Sequence, residues 1–459
     1  MYQISLFANN PDILYKKFFK SDLGLLHRSI PWEALVKQIP PPPSELSGLG
    51  RKPLLDVQGG IALQILKHYF QCSDAMLMER FKTDWAIQLF CGKLLEPGQD
   101  VKDAHLPSDW RVYIGQYLDV SKMQLTLVKH WKPYMQQTHI GMTDATAYES
   151  YIEFPTDVKL VWKGCGEIYE LIQRIRKQNK LRISRVNYAG LRKAYLEYQK
   201  CKKKTRKAEK KLRKKLLKFL ARLIEQFDGL VKKYRCRFSR KKEQRIATVM
   251  AMYKQQHEKA YGLIEKIENR IVNIAKYYIR PIVRGKEVKP VEFGAKVNKL
   301  QVDGINFIEH LSYDAFNEGT RLQSTVLLQK QLLGKCTHMS GDKIYATNKN
   351  RKFCKKHEIT TNFVPKGNQK SAHIEQASLM RKILDNERST RLEGSFGNEK
   401  NHYLLKKVNA RTHATETVWI FFGIHTANAV NIANRIEAME RRQHVHPPPM
   451  PELPLKQAA

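Results

Sequence analysis

The spacing of apolar residues predicts that the first part of the chain is helical. Over most of the first 136 positions, apolar side chains recur every three or four residues, as on the buried face of an amphipathic helix. Brief turns and scattered basic residues separate these stretches, so we expect a helical domain that binds DNA. One helix-turn-helix could lie within 73–91. The predicted helices cover 12–39 with a break before Trp32, then 56–70, 73–81, 84–90, 108–118 and 121–136.

The pattern changes to that of a strand after position 137. Ile140 and Met142 alternate with small residues, and Thr143 and Asp144 follow at once. This predicts a buried strand with an acidic residue at its end. The alternative is that Asp144 only caps a turn or a helix, which is the usual role of such an aspartate.

Strands and helices alternate in the second half of the chain. Residues 290–318 show strand-like alternation on both sides of Asp303–Gly304, which predicts a β-hairpin. The helix that follows should end at Gly334. The remaining predicted elements are a strand, a Gly341–Asp342 turn and a basic helix within 336–359, a short strand from 359, and helices over 391–407 and 415–442.

A strongly basic block, predicted to be helical over 166–280, separates the first strand from the hairpin. Positions 171 to 250 contain 29 Lys or Arg residues and only five Asp or Glu residues. Leu212, Leu216 and Leu220 keep helical periodicity, so we expect a helical hairpin or small bundle with a cationic exterior. Because so many like charges repel one another unless an anion lies against them, duplex DNA is the natural partner.

Composition narrows the class of protein. A chain of 459 residues is long enough for two or three domains, and its net charge of +37 indicates nucleic acid rather than a membrane surface. No apolar run reaches the roughly 18 residues needed to cross a bilayer. The first residues do not resemble a signal peptide, and seven scattered cysteines suggest no disulfide framework. We therefore expect a cytoplasmic protein.

Residues 391–407 carry the most distinctive side chains. Glu393 and Lys400 are seven residues apart, so both project from one face of a helix. Gly394 and Gly397 each destabilise a helix by about 1 kcal/mol relative to Ala. Their presence suggests that the helix backbone approaches the sheet or DNA closely. A carboxylate and an ammonium among many cations suggest phosphate chemistry. The alternative is an ion pair on a solvated helix face.

Three acidic residues follow predicted strands or begin a helix in a recognisable order. The segments are TDATAYESYI around Asp144, MSGDKIYATNKNRKF around Asp342 and RLEGSFGNEKNHYLLKK around Glu393. Their order resembles that of the bacterial insertion-sequence DDE transposases, whose catalytic domain is ribonuclease-H-like. The VEFGAKV segment and the helical first part resemble the branch related to the IS-five and IS-eleven-eighty-two groups. The resemblance covers roughly residues 15–435.

This resemblance implies a fold class and a division into domains. The fold would be mixed α/β, with a ribonuclease-H-like mixed sheet, a helical N-terminal domain and a long basic helical insertion. The implied boundaries are 1–136 for the DNA-binding domain, 137–165 and 286–437 for the catalytic domain, 166–285 for the insertion, and 438–459 for a disordered tail.

It also implies an activity. The protein would bind the terminal inverted repeats of its element and catalyse DNA cleavage and strand transfer with two Mg²⁺ ions, which Mn²⁺ could replace. It would act on double-stranded DNA as a homodimer or larger assembly, associated with the bacterial nucleoid. The implied metal ligands and catalytic residues are Asp144, Asp342 and Glu393, and the implied DNA contacts are Lys400, Arg388, Arg391, Lys349 and Arg351.

Two departures and two rival interpretations stay open. Asn386 and Ser389 occupy the positions where the family often has Tyr and Arg, and the basic block lies ahead of the hairpin rather than ahead of the Glu393 helix. A non-catalytic DNA-binding protein, or a host nuclease on the same fold, is the alternative function. A zinc site is the alternative metal centre, with the candidate ligands Cys336, His338, Cys354 and His357.

Overall fold

The computed structural model describes residues 11–43, 53–96, 98–184, 186–283, 290–366 and 374–443. They form two compact units. The first unit draws on 1–150, 296–312 and 316–459, and the second on 151–295 and 313–315. Two segments that carry predictions lie outside the described residues. They are residues 1–10, where no signal peptide was expected, and residues 444–459 of the predicted disordered tail. The predicted domain boundaries stay predictions.

Short helices form the beginning of the first unit. The side chains of Asp56, Ser73, Asp84 and Asp119 accept hydrogen bonds from backbone N–H groups in the first turns of four of them. These caps explain why the predicted starts agree closely with the observed ones. The helices are α1 (Pro11–Phe19), α2 (Asp22–Arg28), α3 (Trp32–Val36), α4 (Val57–Tyr69), α5 (Asp74–Thr83), α6 (Trp85–Phe90), α7 (Leu106–Tyr117) and α8 (Val120–Trp131).

The prediction of one helix from residue 12 up to the break before Trp32 is wrong. The chain turns between α1 and α2, where the Ser21 hydroxyl accepts a hydrogen bond from the Gly24 N–H at 3.2 Å. A Cβ atom on Gly24 would lie only 2.0 Å from the Phe18 carbonyl oxygen. The tight turn therefore depends on a glycine at this position.

The strands that follow these helices in the sequence form a mixed sheet. Strand β1 (Ile140–Ser150) pairs in parallel with β5 (His338–Gly341) and β7 (Lys407–Val408), and β5 pairs in parallel with β6 (Thr360–Thr361). Strand β3 (Val291–Val302) neighbours β1 and forms an antiparallel hairpin with β4 (Ile305–Ser312). Short β2 (Pro281–Val283) is antiparallel to the first residues of β3. The predicted mixed α/β, ribonuclease-H-like fold is confirmed.

The predicted hairpin and helix end are also confirmed. Asp303 and Gly304 have φ angles of +50° and +76°, which is the tight hairpin turn that an Asp-Gly pair favours. Helix α13 (Leu322–Leu333) ends at Gly334, whose φ angle is +94°. The remaining helices of this unit are α14 (Asn348–Lys356), α15 (Ile374–Glu387), α16 (Glu393–His402) and α17 (His413–Gln443).

Strand β1 is longer than predicted. Asp144 was expected to end it, yet the strand continues for six residues beyond Asp144 to Ser150. Tyr148 is fully buried, and Glu149 and Ser150 pair with β7 near the end of the chain. This pairing joins segments more than 250 residues apart, so a local pattern could not reveal it.

The second unit is a helical bundle, as predicted for the basic block. Its helices are α9 (Asp157–Gln178), α10 (Tyr188–Lys200), α11 (Arg206–Tyr234) and α12 (Arg240–Ala260). Their apolar faces share one core that includes Leu216, Leu220 and Val249. The expectation of helix up to residue 280 is wrong, because α12 ends before Gly262, whose φ angle is +78°.

A buried carboxylate links the elements of this unit. Asp157, only 8% exposed, receives hydrogen bonds from Arg213 (2.9 Å), Lys259 (3.1 Å) and Arg270 (2.7 Å). Burial alone would raise the pKa of Asp157, but the cations of Arg270 and Lys259 outweigh it, so the pKa is lowered. The ionised carboxylate therefore stabilises the folded unit above its unfolded pKa, and this stabilisation is lost as the pH falls through the folded pKa.

We predict that Asp157→Asn destabilises the protein by about 3–5 kcal/mol, because it leaves buried cations without their counter-charge. Urea denaturation followed by circular dichroism at pH 7 measures the change. Glu153→Gln is the matched control, since Glu153 also pairs with two lysines but is 48% exposed, and we expect about 1 kcal/mol or less. Equal losses of stability in the two variants would contradict the prediction.

Candidate active site

Two of the predicted acidic residues lie side by side. Thr143 on β1 is in register with Gly341 on β5, and the two strands are parallel, so Asp144 and Asp342 follow at the same level. Each carboxylate accepts a 2.7 Å hydrogen bond from the backbone N–H of the next residue. The Asp342 side chain is exposed, whereas that of Asp144 is only 18% exposed.

The environment of Asp144 disfavours its charged form. Burial raises its pKa to about 6, and the carboxylates of Glu318 and Asp342 add to this rise. The N–H of Ala145 and the guanidinium of Arg388 act in the opposite direction. Glu318 lies in a short 3₁₀ turn before α13 and pairs with Lys296 at 2.7 Å. No sequence motif pointed to Glu318.

Arg388 connects the third acidic residue to Asp144. Its Nη1 lies 3.1 Å from Glu393 Oε1 and 3.7 Å from Asp144 Oδ2, and its Nε lies 3.8 Å from Asp385 Oδ1. The Arg388 side chain is only 14% exposed. The Arg388 guanidinium therefore lies between Asp144 and Glu393, two of the three predicted metal ligands. It is also close to the Asp385 carboxylate, which the sequence analysis did not identify.

A π-helical turn places this arginine. Residues Arg388–Leu392 form the turn between α15 and α16, and such turns frequently occur at functional sites. Leu392 is fully buried and packs with Met142 on β1 and Phe396 on α16. This apolar contact holds the turn against the strand that carries Asp144.

Lys400 also points towards β1. Its Nζ donates a hydrogen bond to Thr146 Oγ1 at 2.8 Å, and Thr146 is two residues beyond Asp144 on the same strand. Glu393, through Arg388, and Lys400 are thus both connected to one segment of β1. A Cβ atom at Gly394 or Gly397 would meet nothing within 4 Å, so the expected close approach of these glycines to the sheet is wrong. Their approach to DNA stays a prediction.

A buried ion pair anchors α16 beneath the site. Lys299 on β3 and Glu399 on α16 are both essentially inaccessible and hydrogen-bonded to each other. Glu399 also accepts hydrogen bonds from the Tyr148 hydroxyl and, at 3.0 Å, from the Asn306 amide. Burial lowers the pKa of Lys299 to about 8, although Glu399 opposes the shift. Sequence reasoning missed this pair because both residues look like ordinary surface charges.

The remaining predicted DNA contacts are spread over neighbouring surfaces. Arg351 lies over the Phe363 ring at 5.6 Å and, with Asp342 and Arg388, lines a cleft of about 670 Å³. Lys349 is exposed on α14. Arg391 pairs with Glu387 at 2.8 Å on the surface of the π-helical turn. Asp342 therefore shares its cleft with Arg351 and Arg388.

The acidic residues suit a hard cation by chemistry, since Mg²⁺ prefers carboxylate oxygens. Within the described ranges, no three His, Cys, Asp or Glu side chains come close enough together to hold a metal ion. Asp144 and Asp342 are adjacent, while Glu393 forms an ion pair with Arg388.

Of the alternative zinc ligands, Cys336 and Cys354 are buried thiols. Burial raises the pKa of Cys336 to about 12 and that of Cys354 to about 11.

A family comparison bears on this geometry. Residues 339–426 match the family model described as the transposase DDE domain. The matched region contains Asp342, Arg388, Glu393 and Lys400, and Asp144 precedes it. The match supports the predicted resemblance to insertion-sequence DDE transposases, while the predicted branch stays a prediction.

Neither the curated proteins nor the solved structures contain a match to this chain. Across the described parts of the chain, no helix is both long enough and apolar enough to cross a membrane.

We predict that Arg388→Gln raises the pKa of Asp144 further above its ordinary value, because the guanidinium that favours the carboxylate is removed. Carbon-13 NMR of labelled aspartates in metal-free protein measures the shift, and Asp144→Asn assigns the signal. Arg391→Gln is the control, since Arg391 pairs with Glu387 instead. An unchanged pKa in Arg388→Gln would show that the Arg388 contact does not form in solution.

Proposed function

We propose that the protein is a transposase that binds the terminal inverted repeats of an insertion sequence and catalyses metal-dependent DNA cleavage and strand transfer. The observation that carries this proposal is the adjacency of Asp144 and Asp342, with Glu393 connected to Asp144 through Arg388. Asp342 and Glu393 lie within the region that matches the transposase DDE domain. The helices before β1 would recognise the repeats. Bringing two element ends together would require at least a dimer.

Asp144, Asp342 and Glu393 would hold the divalent metal, with Mg²⁺ as the expected ion and Mn²⁺ as a substitute. When bound, two such ions would activate water or a 3′-hydroxyl and would stabilise the negative charge at the phosphodiester. Asp342 and Glu393 are exposed, so both are accessible to DNA. Asp144 must lose its proton to act as a ligand, which its pKa of about 6 allows at neutral pH.

The cations around the carboxylates would position the DNA backbone. Lys400 is held towards β1 by Thr146, and Arg351 lies in the cleft beside Asp342. Both cations can contact phosphate oxygens of a strand that lies across the carboxylates. Lys349 and Arg391 would contact phosphates farther from the cut.

Arg388 would change partners when DNA arrives. In the protein without DNA, its guanidinium neutralises Asp144 and Glu393. Arginine forms equally good hydrogen bonds with phosphate, so a bound strand can take over this side chain and free the carboxylates. This exchange reconciles the predicted DNA-binding role of Arg388 with its contacts to carboxylates.

We predict that Arg388→Gln increases the affinity of the DNA-free protein for Mn²⁺ about tenfold at pH 8, because a competing cation is removed. Calorimetric titration with Mn²⁺ measures the dissociation constant. Arg391→Gln should leave it unchanged. Weaker or equal Mn²⁺ binding by Arg388→Gln would contradict the competition.

The function itself is tested by replacing the three acidic residues one at a time. Asp144→Asn, Asp342→Asn and Glu393→Gln should each reduce Mg²⁺-dependent cleavage of a duplex carrying the element's terminal repeats at least about 100-fold, since each would remove a metal ligand. Binding of the same duplex, measured by fluorescence anisotropy without metal, should be retained. Strand transfer is followed by joining of labelled ends to a plasmid.

Glu387→Gln is the matched control, because Glu387 lies six residues before Glu393 and pairs with Arg391 on the surface. It should cleave normally. Full cleavage by any of the three site variants would remove that residue from the proposed site. Cleavage by the unaltered protein without strand transfer would favour a host nuclease instead.

A further inference from the structure

Helix α11 of the second unit has two sharply different faces. The buried face contributes Leu212, Leu216, Leu220 and Leu223 to the core of the unit. The opposite face carries positive charge over the first two thirds of the helix. We define the α11 stripe as its exposed cations, which follow one another at intervals of three or four residues: Lys207, Lys211, Lys214, Lys218 and Arg222.

The α11 stripe is not neutralised by the rest of the protein. Within the described residues, none of its five members forms an ion pair, although Lys214 lies over the ring of Tyr261 at 5.1 Å. Other cations of the same unit do have partners. Lys159 and Lys163 share Glu153, and Arg245 pairs with Glu167. Other exposed cations of the unit, such as Lys232 and Lys233, also form no ion pair among the described residues. What distinguishes the α11 stripe is therefore the regular spacing of its cations along one helix face.

Local sequence makes the stripe costly for the helix. Like charges four residues apart destabilise a helix, and an acidic residue at that spacing would relieve the repulsion. Glu209 is the one acidic residue in the first five turns of α11, and it lies off the stripe. Beyond Arg222, exposed Glu225 and Asp228 make the helix surface mixed in charge. The stripe therefore has a defined end.

We propose that the α11 stripe is a binding surface for the phosphate backbone of duplex DNA. From Lys207 to Arg222 it extends about 22 Å, which is 15 residues at the helical rise of about 1.5 Å. A duplex presents one negative charge for about every 1.7 Å of its axis, so several phosphates lie within this length. Contacts of this kind release counterions and do not depend on base sequence.

The same face does not suit a membrane. A helix that lies on a lipid surface needs exposed apolar side chains beside its charges, to insert among the acyl chains. The large apolar residues of α11 point into the core instead, and Leu212, Leu216, Leu220 and Leu223 are all buried. The stripe can therefore attract an anionic surface only through its charges.

This surface lies outside the matched DDE domain, and its binding to DNA does not require Asp144, Asp342 or Glu393 to be catalytic. The proposed function assigns no DNA contacts to the helical unit, whereas the α11 stripe would supply them. Binding is measured without metal, so a protein that fails to cleave DNA leaves the result unaffected.

The test uses a variant of the full-length protein with four substitutions, in which Gln replaces Lys207, Lys211, Lys214 and Lys218. Glutamine has a helix propensity similar to that of lysine, and a circular dichroism melt checks that the unit remains folded. Anisotropy with a fluorescent duplex of arbitrary sequence gives the binding constant over a series of salt concentrations. The salt slope should become shallower by about 0.9 for each phosphate that the variant no longer neutralises, and affinity at low salt should fall at least about tenfold.

The control removes the same charge from exposed cations beyond the stripe, with Lys232, Lys233, Arg237 and Arg240 replaced by Gln. It should retain the slope of the unaltered protein. An unchanged slope in the stripe variant, or an equal change in the control, would overturn the proposal. So would a stripe variant that still binds DNA but no longer binds phosphatidylserine vesicles, because the surface would then serve a membrane.

Discussion

Parallel pairing of β1 with β5 is the constraint on which the candidate site depends. Because Thr143 lies opposite Gly341, the next residue on each strand is an aspartate, and the two carboxylates come together without any specific contact between them. Adjacent parallel strands end at the same edge of a sheet, but here one strand continues. Asp144 therefore lies within β1, where it is partly buried, while Asp342 lies at the end of β5 and is exposed. The two aspartates thus have unequal environments.

Charge compensation holds Glu393, the third acidic residue of the site, in place. Glu393 and Asp144 would repel each other, yet Arg388 lies between them and reduces that repulsion. Deeper in the fold, the Lys299–Glu399 pair fixes α16 to β3 and to Tyr148 of β1. A buried pair of this kind contributes little net stability, but its strict geometry orients the helix that carries Glu393 and Lys400. Packing and electrostatics therefore act on the same helix.

Sequence patterns anticipated what depends on local chemistry. The Asp303–Gly304 hairpin, the end of α13 at Gly334 and the helices of the basic block follow from turn residues, caps and periodicity. The patterns could not anticipate contacts made across the fold. The extension of β1 depends on pairing with β7, and the position of Arg388 depends on a π-helical turn. The buried Lys299 and Glu399 resemble surface residues until the fold brings them together.

The central claim is that Asp144, Asp342 and Glu393 form one metal site that DNA binding completes. A crystal structure of the protein with Mn²⁺ and a duplex of its element end tests this most directly, through anomalous scattering from the metal. The proposed site predicts peaks within about 2.0–2.4 Å of oxygens from all three carboxylates, with Arg388 moved onto a phosphate. Peaks at other residues, or Arg388 still lying between Asp144 and Glu393 with DNA bound, would contradict it.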